Sequence, residues 1–191
     1  MKDLSLGRRR FALGLPLVAA ACGTSPDPNY YTIVPRSGPT LSRGPKVVLL
    51  KDIGLASYLD RREIVRSSEG YKLDIRANDW WGAPLASLIG RVLVVELSQR
   101  LPNSSVYSES GAINVDHNVI VGINVQRLDA DKAGSLILIA QVAAEFNRPR
   151  RTAARTFTIS KPLATPDTPG LVAAISDALG ELADGIATLL Q

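Results

Sequence analysis

Cysteine is nearly missing from this sequence: the 191-residue chain has one, Cys22. A single thiol excludes an internal disulfide framework. Histidine is as scarce, with His117 alone. One Cys and one His cannot build a protein-only Cys/His metal cage, and two-His zinc motifs are excluded with it. Membrane-length apolar segments are lacking too. The run Phe11 to Ala21 has eleven residues. At about 1.5 Å each they fall far short of a hydrocarbon core of roughly 30 Å. There is no G-x-G-x-x-G, no Walker loop and no G-x-S-x-G elbow, so nothing marks a nucleotide site or a serine hydrolase. Internal repeats and low-complexity tracts are absent as well.

What is present reads as one globular domain. Apolar residues make up 46% and charged residues 21%, which separates the chain from disordered sequences. The length fits one domain. The formal net charge of +4 is concentrated at the start, where Lys2, Arg8, Arg9 and Arg10 stand against Asp3. Without residues 1–21 the net charge falls to about +1, so there is no basic footprint for nucleic acid.

The basic stretch Gly7-Arg8-Arg9-Arg10 followed by the apolar run reads as a signal peptide over residues 1–21. Arg8-Arg9-Arg10-Phe11 also resembles the twin-arginine export motif, while a plain basic n-region needs only charge. The run ends in Ala19-Ala20-Ala21-Cys22. This resembles the lipobox of bacterial lipoproteins, with Ala19 where Leu is usual. The expectation is a Cys22 acylated at its thiol; the other reading is a stray thiol after an ordinary signal peptide. Gly23 follows where Asp would favour inner-membrane retention, which points to the outer membrane. Residues 22–29 form a lipidated tether of Gly, Ser, Pro and Asn. Seven residues reach at most about 25 Å, which keeps the domain of residues 30–191 close to the membrane.

Within that domain, Tyr30–Val34 is aromatic and β-branched and reads as a strand, residues 35–45 as a loop, and Lys46–Lys51 as a buried strand. Glu63–Ser68 and Tyr71–Ile75 flank Glu69-Gly70 and suggest a hairpin. Residues 84–101 have helical spacing with a broad apolar face. Val119, Val121, Ile123 and Val125 alternate with Ile120, Gly122, Asn124 and Gln126. Leu136–Phe146 and Thr152–Ser160 follow across an Asp129–Gly134 turn and an Asn147–Arg150 turn, giving a three-strand antiparallel meander. The last helix has Leu171, Ile175, Ala178, Leu179, Leu182, Ile186 and Leu189 on one stripe. Thr168 is its expected N-cap and Pro169 its first residue.

His117 reads as a solvated histidine, and no pair of acids can be placed in one site. Arg148, Arg150, Arg151 and Arg155 gather at one hairpin, either blunting a sheet edge or meeting anionic groups.

Several segments taken in order carry a family resemblance. Cys22 is followed by Tyr30-Tyr31-Thr32; then come Ser57-Tyr58-Leu59-Asp60-Arg61 and Ile64-Val65-Arg66-Ser67; then Trp81-Gly82-Ala83-Pro84-Leu85; and finally a strand meander and the helix from Leu171. Together they resemble the ABC-type transport auxiliary lipoproteins. The resemblance implies an α/β fold: a single compact domain with a mixed sheet of about five strands, an antiparallel meander and two main flanking helices. It implies a non-catalytic outer-membrane subunit with no cofactor and no metal. Its partners would be an ABC transporter (permease and ATPase) and a membrane-tethered protein of the mammalian-cell-entry (MCE) type, which together move lipids or other hydrophobic compounds between membranes. A ring of copies is among the arrangements it allows. A stand-alone structural or envelope-stress lipoprotein is the other reading.

Tyr58, Leu59, Arg61 and Arg66 have two readings. They fix a loop, with Tyr58 a core anchor whose hydroxyl is bonded and Arg61 paired to an acid; or they form a docking surface, since Tyr, Trp and Arg are frequent interface anchors. Trp80 and Trp81 are adjacent. At a helix start both cannot face the core, which leaves one for a partner.

Overall fold

The computed structural model describes residues 27–113 and 115–191. The signal peptide, Cys22 and most of the tether lie outside the described residues.

The meander is the longest regular structure because its sequence alternates over three long runs. These are β7 (Val119–Ala130), β8 (Ser135–Asn147) and β9 (Arg150–Pro162). Val119, Val121, Ile123 and Val125 of β7 are buried, as are Leu136, Leu138, Ala140, Val142, Ala144 and Phe146 of β8. The pairing places Val121 opposite Ala144 and Val125 opposite Ala140. Between Val125 and Arg127 the register shifts by one residue. This bulge keeps Leu128 in the buried row and sends Arg127 and Asp129 to the other face. β7 therefore runs on through Ala130, and the turn is shorter than the expected Asp129–Gly134. Within it, the Ser135 N–H donates to Asp131 Oδ1 at 2.9 Å and Gly134 takes a φ of +79°.

β2 (Val47–Leu50) lies parallel to β7, and β6 (Ser105–Ser108) lies parallel to β2 on its other side. The main sheet thus has the order β6-β2-β7-β8-β9, with the two-residue β3 (Gly54–Leu55) also pairing β7. The parallel β2–β6 neighbours require a crossover, which contains α1 (Leu85–Arg100).

Besides the expected sheet there is a second, three-stranded one. β4 (Glu63–Ser67) and β5 (Asp74–Trp81) form the expected antiparallel pair, and β1 (Asn29–Tyr31) adds in parallel to β5. The connection is longer than the Glu69-Gly70 pair, running from Ser68 to Leu73 with positive φ at Gly70 and Tyr71. β5 also extends to Trp81, so both tryptophans lie on a strand and not at a helix start.

α1 and α2 (Thr168–Leu189) pack on each other and against the main sheet. The buried face of α1 is as broad as the sequence implied, while that of α2 is broader than its expected stripe, with Val172, Ala174, Ala183 and Ala187 also buried and Leu189 only half-buried. In α1 the buried residues include Leu85, Leu88, Ile89, Val92, Leu93 and Leu97; in α2, Leu171, Ile175, Ala178, Leu179, Leu182 and Ile186. The N-cap of α2 is Asp167, not Thr168: its carboxylate accepts from the Gly170 N–H at 2.9 Å. Thr168 starts the helix instead, and its hydroxyl donates to Asp79 on β5. The loop before β2 crosses the helix layer, where the Val34 N–H donates to Ser176 Oγ at 3.3 Å and the Leu41 N–H to the Arg100 carbonyl at 2.7 Å.

Candidate interaction surface

The residues singled out by sequence divide between the two ends of the small sheet. At one end is Tyr58. It is half-buried, and its hydroxyl donates to Asp129 Oδ2 at 2.7 Å. Ser68 Oγ donates to the same oxygen at 2.7 Å, and Arg127 Nε donates to Oδ1 at 3.0 Å. Arg127 also reaches Glu69 at 3.3 Å. Asp129 is wholly buried, so these donors replace its hydration. Burial, reinforced by the bond to Asp129, pushes the Tyr58 hydroxyl up to about 12. Tyr58 and Ser68 thereby fasten both ends of the 58–68 segment to β7. Arg66 lies on this side, 3.5 Å from Asp74 across the strand pair.

At the other end are the tryptophans, on opposite faces of β5 because strand side chains alternate. Trp81 is buried, 6% exposed, and its backbone N–H donates to the Arg62 carbonyl at 2.7 Å. Trp80 is half-buried. Its ring meets Tyr30 edge to face with centroids 6.0 Å apart, and the Arg62 guanidinium lies 4.9 Å above it. Tyr30 is 67% exposed. Arg61 lies beside this corner and, together with Arg62, Trp81 and Pro84, lines a cleft of about 340 Å³.

Two expectations need correction. Arg61 forms no ion pair among the described residues, and its buried Nε has no hydrogen-bond partner. Arg61 lines the same cleft as Trp81 and Pro84. Leu59 and Trp81 cannot present side chains to a docking partner, because both are packed in the core.

The arginine hairpin also has a packing role. Arg151 lies 3.6 Å above the Phe146 ring and Arg155 5.0 Å from that of Phe157. On edge strand β9 these guanidiniums cover aromatic surface. His117 is half-buried, and its carbonyl accepts from Asn147 at 2.8 Å. On the sheet face away from the helices, Gly122, Ala143 and Ala154 lie side by side and floor a cleft of about 670 Å³.

A second polar cluster escaped the sequence reading. Glu96 and Arg100 of α1 are both fully buried. Arg100 Nε lies 2.5 Å from Asp184 of α2. Its terminal nitrogens donate to the carbonyls of Arg36 at 3.0 Å, Glu96 at 3.2 Å and Gly180 at 2.9 Å. One side chain therefore joins α1, α2 and the crossing loop. Glu96 Oε1 accepts from the Arg36 N–H at 2.7 Å, while Oε2 is buried without a partner. Burial pushes the Glu96 carboxyl up to about 7, with Asp184 adding to the rise and the Arg36 N–H and Arg100 opposing it. The signal was legible: Glu96 and Arg100 continue the i, i+4 row of Leu88 and Val92.

The model of a family described as "ABC-type transport auxiliary lipoprotein component" matches residues 31–187. Among curated proteins no match was found. Two solved structures share the fold. One is an uncharacterized protein, with a TM-score of 0.73 at 16% identity over 87% of this chain and 100% of that one. The other is protein XCC0632 from Xanthomonas campestris, with a TM-score of 0.68 at 19% identity over 83% of this chain and 92% of that one.

Proposed function

The chain belongs to the family of ABC-type transport auxiliary lipoprotein components, and from that premise we propose the following role. It is a non-catalytic lipoprotein, held in the outer membrane by Cys22 and facing the periplasm. It serves as accessory subunit to an MCE-type system that moves lipids or other hydrophobic compounds between membranes, and it docks the periplasmic component of that machine. Family membership is the observation that carries this reading. Two features support it. Cys22 stands seven residues ahead of β1, which keeps the domain at the membrane. The buried charged groups Asp129 and Arg100 are each held by structural hydrogen bonds, which suits a scaffold. Within this reading the candidate docking residues are the half-buried Arg61, Tyr58 and Arg66, whereas half-buried Trp80 takes part only if its corner is free of the membrane.

Cross-linking in intact cells, followed by affinity capture and mass spectrometry, tests the role. Recovery of an MCE protein together with the permease or ATPase is the expected result. An acylated chain captured without any of them moves the assignment to a stand-alone envelope lipoprotein. Substitution of Cys22 by Ser should release the protein to the soluble periplasmic fraction; a membrane-retained variant removes the anchor from the reading.

A further inference from the structure

The exposed aromatic corner lies where the chain arrives from its tether. β1 begins at Asn29, and its second residue, Tyr30, is 67% exposed. Tyr30 is the register partner of Trp80, and Arg62 covers the Trp80 ring. Arg62 enters no ion pair among the described residues. Trp80 Nε1 donates to the Ala77 carbonyl at 2.8 Å, so the indole's polar edge is satisfied within the protein and its ring can meet an apolar or interfacial surface.

We propose that Tyr30, Trp80 and Arg62 lie against the headgroup layer of the leaflet that holds Cys22, as a second, noncovalent contact with the membrane. The inference rests on the lipid-anchor reading of Cys22. Length favours this occupant: the seven residue steps from Cys22 to Asn29 reach at most about 25 Å, so this corner stays within that distance of the leaflet and meets it repeatedly. Residue chemistry favours it further. Tyr and Trp are amphipathic rings that favour the boundary between headgroups and hydrocarbon. An arginine beside them can lay its stem on apolar surface and reach a phosphate. Neighbouring acids set the lipid class. Asp60 and Glu63 flank Arg61 and Arg62 in sequence, so the local charge is balanced. Asp79, next to Trp80, accepts from Asn29 and Thr168 instead. The contact therefore suits a mostly zwitterionic headgroup layer.

Indole fluorescence on vesicles tests it. The lipidated protein is extracted from membranes and reconstituted in phosphatidylethanolamine vesicles, with roughly one anionic phosphatidylglycerol in four. A parallel sample carries the processed chain, from Cys22 onward, coupled through its single thiol to a maleimide-headgroup lipid. Trp81→Phe leaves Trp80 as the one indole; because Trp81 is buried, the wild type reads the same change if that variant does not fold. The expected result is a blue shift of Trp80, quenching by brominated lipid, and acrylamide access reduced at least about twofold from the free chain. Trp80 as open to acrylamide on vesicles as in solution overturns the inference, and leaves the corner to a protein partner. Intact mass separates the two readings. A natural protein without acyl chains refutes the anchor, while the coupled sample still reports on the corner.

Discussion

Replacing Glu96 with Gln should make the protein more stable at neutral pH and leave it nearly unchanged in acid. The folded carboxyl is raised from the ordinary 4.5 to about 7 by burial. The folded chain therefore holds the Glu96 proton more tightly than the unfolded chain does. The resulting stabilisation is present in full below pH 4.5 and is lost as pH rises toward 7, beyond which the difference is constant. At about 1.4 kcal/mol per pH unit the interval corresponds to roughly 3 kcal/mol, a large part of the ~5–15 kcal/mol that holds a domain. The glutamine amide keeps an acceptor for the Arg36 N–H, which in the wild type lies 2.7 Å from Oε1 of Glu96, and has no charge to desolvate. The assay is urea unfolding of both proteins at about pH 4.5, 6 and 8, followed by circular dichroism. Other titrating groups are shared and cancel in the difference. The variant should gain about 3 kcal/mol on the wild type between the two extremes. Parallel pH profiles would refute the reasoning, because they would mean that Arg100 and water already hold Glu96 ionised at no cost.

Three further substitutions probe the same framework. Arg100→Met removes donors to the carbonyls of Arg36 and Gly180 and takes the cation from beside Glu96; it should cost about 3 kcal/mol in urea unfolding and raise the Glu96 pKa further, and a loss under about 1 kcal/mol would contradict the joining role. Tyr58→Phe leaves wholly buried Asp129 one donor short and should cost about 1–3 kcal/mol in the same assay. With the Tyr58 hydroxyl raised from 10.0 to about 12, the wild type should also lose stability as pH climbs above 10, and the Phe variant should lack that part of the slope. In Gly170→Ala the new methyl would collide with the Thr165 carbonyl at the start of α2; a melting temperature lowered by an amount equivalent to about 1–3 kcal/mol is expected, and an unchanged one would mean the turn can open.

The elements read correctly from sequence are those whose pattern is local. The meander was legible because Val119 to Val125 and Leu136 to Phe146 each alternate over a long span, and α2 because its stripe recurs along the whole helix. Boundaries that depend on distant partners were not. Gln126 is polar, so it fits the alternation and hides the bulge that places Asp129 on the other face. Asp167 and Thr168 are both good caps by residue type; Asp79, nearly ninety residues earlier, takes the threonine hydroxyl and leaves the cap to the carboxylate. Trp80 and Trp81 looked like a helix start because Pro84 follows, and only the pairing with β1 and β4 makes them strand.

The same distinction bears on what the family signature means. Of the segment Ser57–Ser67, Leu59, Ile64 and Val65 pack in the core, and Tyr58 is bonded to Asp129, 71 positions later. These four residues build the fold, seating the loop on β7. A docking surface requires side chains left over after that work. Around the small sheet those are Tyr30, Trp80, Arg61 and Arg62, and two of the four, Tyr30 and Trp80, come from outside Ser57–Ser67. Substitutions in the signature should thus register first as lost stability, whereas substitutions at Trp80 and Tyr30 should alter contacts while the folded state persists. Unfolding and membrane-contact measurements on the same variants distinguish the two classes.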